Sequence, residues 1–189
     1  MKDKQKSNYW ESNTVTLGWS DFKDDRHGDV RDLTEIVTTL PYYIPIKPAT
    51  LEILELGAGQ GRNIQALRQA GYKKARGIEL NKENIKQAKK DYGIDIEQAE
   101  AIKYLKKMKP VKCILTCSSA YLMDKEVFKL IQKKCEYYMC IEPSEVTYMT
   151  DSALYNRYEY SELLTDMRWT VKMPCKWDNY IGYLFKRGE

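Results

Sequence analysis

The sequence predicts an α/β domain on a mostly parallel sheet, and three observations carry that expectation. Short apolar runs alternate with helical segments from residue 51 onward. One of these runs opens straight into a turn with glycines at 57, 59 and 61, and two aromatic-rich stretches close the chain. Alternating strands and helices bury a parallel sheet on both faces through right-handed crossovers.

In chain order, Val30, Leu33, Ile36, Val37 and Leu40 recur at helical spacing, with Asp29 placed to cap the start and Pro41 to stop the run. This amphipathic helix is expected to lie against the sheet. Strands are expected at the apolar run entering LEILELGAGQG (residues 51–61), at Ala75 to Leu80, within Ile94 to Ala101, and at Val111 to Cys117 and Tyr137 to Glu142. Helices are expected to begin near Ala101 and to span Asp124 to Lys134 and Tyr158 to Met167. Trp169 to Trp177 and Tyr180 to Lys186 read as an antiparallel hairpin across Asp178-Asn179, because a two-residue polar turn joins antiparallel strands while parallel ones need a longer crossover. Seven strands result. Residues 51–189 are taken as the core and 1–50 as an N-terminal lid and helix segment.

Composition excludes several classes. A chain of 189 residues suits one domain, large enough to bury roughly 70% of its unfolded surface. With 43% hydrophobic and 31% charged residues it has the make-up of an ordinary globule. No apolar run approaches the roughly 20 residues of a membrane span, and MKDKQKSNYW is followed by no apolar stretch of the secretory kind. A cytoplasmic location is the default expectation. The five cysteines match no disulfide framework, and with His27 as the one histidine no metal site is expected. The net charge of +4 comes from lysines such as Lys86, Lys89 and Lys90, or Lys103, Lys106 and Lys107, spread along helical faces that are usually just solvated.

The turn after the first strand carries the chemistry. Gly57 and Gly59 can take backbone conformations closed to other residues and leave no Cβ between the chain and a ligand, while Gly61 lets the following helix pack closely. A dinucleotide fingerprint requires glycine where Arg62 stands, and no GK[ST] follows for a phosphate loop. Glu55 followed by Gly57, Ala58, Gly59 and Gly61 instead resembles the first motif of the class I S-adenosylmethionine (SAM) dependent methyltransferases, an acidic residue and GxGxG. The resemblance covers about residues 51–186. It implies a Rossmann-like seven-stranded sheet in the order 3-2-1-4-5-7-6 with a C-terminal antiparallel hairpin, and a ligand crevice at the carboxyl ends of strands 1 and 4.

Further along, Glu79 ends the second apolar stretch about 20 residues past the glycines, the place of a ribose-binding acid, where two acceptor oxygens match a cis-diol. By the resemblance Glu100 accepts from the adenine amino group and the amide of Ala101 addresses a ring nitrogen, although the family more often has Asp at the first of these. The expected cofactor contacts are thus Glu55, Gly57, Ala58, Gly59, Gly61, Glu79, Leu80, Glu100, Ala101 and Ser118.

Methyl transfer from a sulfonium is an in-line displacement in which positioning supplies much of the acceleration, and a base helps where a hydroxyl must shed its proton. His27, with an unperturbed pKa near neutrality, is the first candidate base and Glu142 the second. Acceptor contacts are expected from the lid residues Tyr9, Trp10 and Trp19, from Ser119 and Tyr121 after strand 4, and from Tyr155 and Arg157 beyond strand 5. The segment TCSSAY lacks the [DN]PP[YF] of base-amine methylation, and Cys117 is read as packed core. The expected activity is methylation of an oxygen or nitrogen of a small-molecule acceptor, a sugar or amino sugar being one such class. The alternatives are a nucleic-acid or protein methyltransferase and a SAM-binding protein without catalysis. Oligomeric state is not legible.

Overall fold

The computed structural model describes residues 35–143, 160–174 and 180–188. Among them one sheet holds β1 (Glu52–Leu56), β2 (Lys74–Glu79), β3 (Glu97–Gln98), β4 (Val111–Cys117), β5 (Cys135–Pro143), β6 (Met167–Pro174) and β7 (Tyr180–Arg187). Its order is β3-β2-β1-β4-β5-β7-β6, as expected. Strands β1 to β5 pair in parallel, and β7 runs antiparallel between β5 and β6. The helices are α1 (Arg62–Gln69), α2 (Lys82–Tyr92), α3 (Ala101–Lys107), α4 (Lys125–Lys134) and the single turn α5 (Tyr160–Leu163).

Successive side chains of a strand point to opposite faces, so β1 feeds two cores. Ile53 joins Ile36, Leu40, Ile64, Leu67 and Ala88 on one face. Leu54 and Leu56 join Leu105, Phe128 and Ile131 on the other. A central parallel strand covered on both sides reads as a continuous apolar run, and Ile53, Leu54 and Leu56 are all fully buried. Each such side chain contributes about 1.5–3 kcal/mol.

Local signals set the helix ends. The Asn81 side chain accepts from the amides of Glu83 and Asn84 at the start of α2, and left-handed Gly93 closes it. On α4, Val127, Phe128 and Ile131 form the buried stripe while Lys125, Lys129 and Lys133 face outward.

Two boundaries differ from the sequence reading. Pro41 does not stop the N-terminal run: residues 35–39 are helical and the chain tightens into a 3-10 turn, Leu40–Tyr43, with Pro41 in its first turn, where a missing N–H costs nothing. The helix foreseen at Tyr158 to Met167 is confined to Tyr160–Leu163 among the described residues, and Met167 opens β6 instead. Buried Gln132 on α4 explains the break, since its Nε2 donates to the Leu163 carbonyl at 3.1 Å and its Oε1 accepts from the Asp166 amide at 2.6 Å. The side chain serves the backbone groups that a continued helix would have paired.

Asp29, Val30, Leu33 and the Asp178-Asn179 turn lie outside the described residues. Cys113, Cys117, Cys135 and Cys140 are free thiols. No helix among the described residues is long and apolar enough to cross a membrane.

Candidate active site

Because β1 to β5 are parallel, their carboxyl ends share one edge of the sheet, and the chain reverses its winding between β1 and β4. A crevice forms at such a switch point. The glycine turn leaves β1 there, with the amides of Gly57 and Ala58 both donating to the Ile78 carbonyl of β2, at 3.0 and 2.9 Å. Gly77 makes the crossing possible: a Cβ on it would stand 2.6 Å from the Cβ of Ala58. Gly57 has a φ of 73°, and a Cβ there would meet that of Ser119 at 3.1 Å.

Glu55, 1% exposed, lies beneath this turn. Its Oε1 accepts from Asn63 Nδ2 at 2.6 Å, and its Oε2 has no hydrogen-bond partner among the described residues. Burial pushes its pKa from 4.5 up to about 8, the Asn63 bond pulls it down, and the Glu79 charge adds to the rise. The carboxyl is therefore mostly neutral near pH 7. Cys117, at the tip of β4, is held well above its ordinary range by burial and then by the charges of Glu55 and Glu142. A thiol so suppressed is no nucleophile at neutral pH.

Glu79 is fixed by backbone. Its Oε2 accepts from the Gly59 amide and its Oε1 from the amides of Leu80 and Asn81, each at 2.8 Å. A carboxylate offers about four lone-pair sites, and three are occupied. One remains for a ribose hydroxyl, so the two-handed grip on a diol expected from the sequence requires one of these amide bonds to yield.

Glu100 sits at the N-cap position of α3 without a side-chain capping bond. Its carboxylate pairs with Lys103 Nζ at 2.6 Å, one turn along the helix. Ala101 is the first helical residue, so its N–H belongs to the donors a helix leaves unsatisfied. The adenine contacts proposed for this pair thus differ in readiness: the amide is an unused helix-end donor, while the carboxylate is shared with Lys103 through Oε2 and keeps Oε1 for another donor.

After β4 the backbone turns sharply. Ser118 has a φ of 53°, the one described non-glycine residue in the left-handed region, a conformation costing about 1–3 kcal/mol that persists only when its surroundings enforce it. Its amide donates to the Ile141 carbonyl at 2.8 Å, and its Oγ meets the Tyr180 hydroxyl at 3.4 Å. Ser119 Oγ donates to the Leu56 carbonyl at 2.9 Å. Glu142 Oε1 accepts from the amides of Ser119 and Ala120, at 3.2 and 2.9 Å. Tyr121 follows in the short turn Ala120–Leu122.

The structure therefore brings Glu55, the glycine turn, Glu79, Leu80, Glu100, Ala101, Ser118, Ser119 and Glu142 to one edge. His27, Tyr9, Trp10, Trp19, Tyr155 and Arg157 lie outside the described residues. Sequence reasoning missed Asn63 and Tyr180. Asn63 carries no motif of its own, whereas Tyr180 was findable: the first residue of an antiparallel strand beside β5 must return to the crevice end, and Tyr180 pairs with Pro143.

No protein-family model matches the chain, and no curated protein matches it. Solved structures do. Magnesium protoporphyrin IX methyltransferase from Synechocystis PCC 6803 with bound SAH superposes with a TM-score of 0.71 at 11% identity, over 96% of this chain and 98% of that one. The N-methyltransferase NodS from Bradyrhizobium japonicum gives 0.70 at 14% identity, over 88% and 99%. Mitomycin 7-O-methyltransferase gives 0.61 at 14% identity over 84% of this chain, which spans only 54% of that protein's length. The fold is the one these methyltransferases share.

Proposed function

We propose that the protein is a SAM-dependent methyltransferase that transfers a methyl group to an oxygen or nitrogen of a small-molecule acceptor, with a sugar or amino sugar as the first class to test. One observation carries the reading: Glu55, the glycine turn, Glu79 and the start of α3 lie at the tips of three neighbouring strands, β1, β2 and β3, on the same edge of the sheet. Structural neighbours whose names specify an O-methyltransferase, an N-methyltransferase and a porphyrin methyltransferase support a small acceptor.

In this reading the donor supplies an electrophilic methyl on a sulfonium, and the chain supplies placement. Glu55 Oε2 offers an acceptor for the donor's ammonium, and the glycine turn admits the amino-acid part against bare backbone. Glu79 holds the ribose, and Leu80 and the Ala101 amide border the base. Ser118 borders the donor with Tyr180 beside it, and Ser119, buried with its Oγ on the Leu56 carbonyl, shapes the turn between donor and acceptor. His27 as base, and Tyr9, Trp10, Trp19, Tyr121, Tyr155 and Arg157 as acceptor contacts, stand as parts of the proposal.

A second reading, a polyanionic acceptor such as RNA, is favoured by Lys107, Lys109, Lys125, Lys129 and Lys133, which are exposed on α3, its following loop and α4 and make no ion pair with another described residue. Isothermal titration with SAM and with S-adenosylhomocysteine, then incubation with methyl-labelled SAM and fractionated cell extract, tests both readings. Label in small metabolites supports the first and label in nucleic acid the second. Absence of binding to both nucleosides sinks the methyltransferase assignment.

A further inference from the structure

We infer that Glu142 is a positioning residue: it locks the turn after β4 onto the start of the glycine loop and so organises the donor pocket through backbone amides. The inference rests on the reading of the crevice as a SAM site, and it replaces the proton-accepting role that the sequence suggested for this carboxylate.

A connected path runs from β5 to β1. Ser118 is held in the left-handed region, and in that conformation the next two amides, of Ser119 and Ala120, converge on a single oxygen, Glu142 Oε1. Successive N–H groups in such a turn form a concave donor pair suited to an anion. Ser119, so placed, sends its Oγ to the carbonyl of Leu56 and sets its Cβ in the space a side chain at Gly57 would need. Leu56 and Gly57 are the two residues at which the chain leaves β1 for the glycine turn. Ser119 and Glu142 are buried, 7% and 5% exposed, so the path is shielded from water.

The chemistry of Glu142 suits this role better than proton transfer. Two amide donors saturate Oε1, and the carboxylate sits among Cys117, Cys140 and Tyr160, whose ionisation its charge opposes. A base must reach the proton it removes. A carboxylate facing backbone donors and core thiols is turned to the protein interior.

The test measures S-adenosylhomocysteine binding by titration calorimetry for the wild type, Glu142→Gln, Glu142→Ala, Ser119→Ala and the Glu142→Ala/Ser119→Ala pair. Glutamine keeps a side-chain carbonyl for both amides, so its affinity is expected within about threefold of wild type, whereas alanine loses about tenfold or more. Because both residues act through one turn, the pair is expected to bind no more weakly than Glu142→Ala alone. Equal loss in Gln and Ala, or no loss in Ala, overturns the inference while leaving the SAM reading intact. Should the wild type itself ignore S-adenosylhomocysteine, that reading falls, and the lock is judged from amide hydrogen exchange across Leu56 to Gly61 in the unliganded protein. Exchange faster in Glu142→Ala but not in Glu142→Gln supports the lock, and identical exchange in all three proteins overturns it. If Glu142→Ala does not fold, Glu142→Gln and Ser119→Ala carry the comparison, with faster loop exchange expected only in Ser119→Ala and its absence counting against the lock.

Discussion

Glu55 links the site to stability through its proton. The folded chain holds this carboxyl near pKa 8 against an ordinary 4.5, so between those values the unfolded chain has released a proton that the native state keeps. Stability therefore falls as pH rises from about 4.5 to about 8 and levels off above. At 1.36 kcal/mol per unit the full effect is roughly 4 to 5 kcal/mol. Urea unfolding at pH 5.5 and 8.5 is expected to show a loss of a few kcal/mol that Glu55→Gln abolishes; equal slopes in the two proteins would mean that the carboxyl ionises normally. A cationic ligand seated at Oε2 favours the charged form, so SAM binding at pH 7 is expected to expel close to one proton. Calorimetry in two buffers of different ionisation enthalpy reads that number. Gly57 is the other sensitive residue. Gly57→Ala forces a side chain into a φ of 73° and against Ser119, with an expected cost of about 1–3 kcal/mol and a loss of donor binding larger than the fall in thermal midpoint alone would produce.

Elements are joined here by side chains that complete one another's backbone. Gln132 is the clearest case, since both ends of its amide are used where α5 gives way to β6. Gln132→Leu removes the partner of a half-buried carbonyl and an amide, and a destabilisation of about 1–2 kcal/mol is expected, measured by denaturant titration, with no change in S-adenosylhomocysteine affinity beyond about twofold. The same dependence decides what the sequence could reveal. The strands were legible because apolar runs and glycines are local signals, whereas their order came from the resemblance carried by the glycine motif. Glu55 and the glycine turn were legible for the same reason, their chemistry being adjacent in the chain. The engagement of Glu142 was not, because it depends on β4 and β5 standing side by side in the register that brings Cys117 opposite Ile141. Nor was the shortened helix at residue 160, which ends because a glutamine 31 residues earlier in the chain captures Leu163. Glu100 was ambiguous for a local reason: Lys103 lies at the right spacing to claim its carboxylate, and it does.

At the scale of the whole molecule, the strand tips along one sheet edge and the lysines on α3 and α4 are different features, and they respond to different variables. For a small acceptor, reversing Lys125 and Lys129 to Glu is expected to leave turnover within about twofold and independent of salt, since exposed charges are screened within about 8–10 Å. A polyanionic acceptor predicts the opposite, a steep fall of affinity with salt that flattens on charge reversal. Fluorescence anisotropy with a labelled RNA of about 30 nucleotides separates the two outcomes. The far end of the sheet has a consequence of its own. Strand β6 is the last in the order, slips its register between Trp169 and Val171, and carries Arg168 and Lys172 on either side of that slip, with Trp169 60% exposed. Irregularity and positive charge are how an open strand avoids recruiting a stranger's backbone. Replacing both cations with threonine while keeping the tryptophan is therefore expected to turn a well-behaved preparation into one that forms fibrils or precipitates on standing.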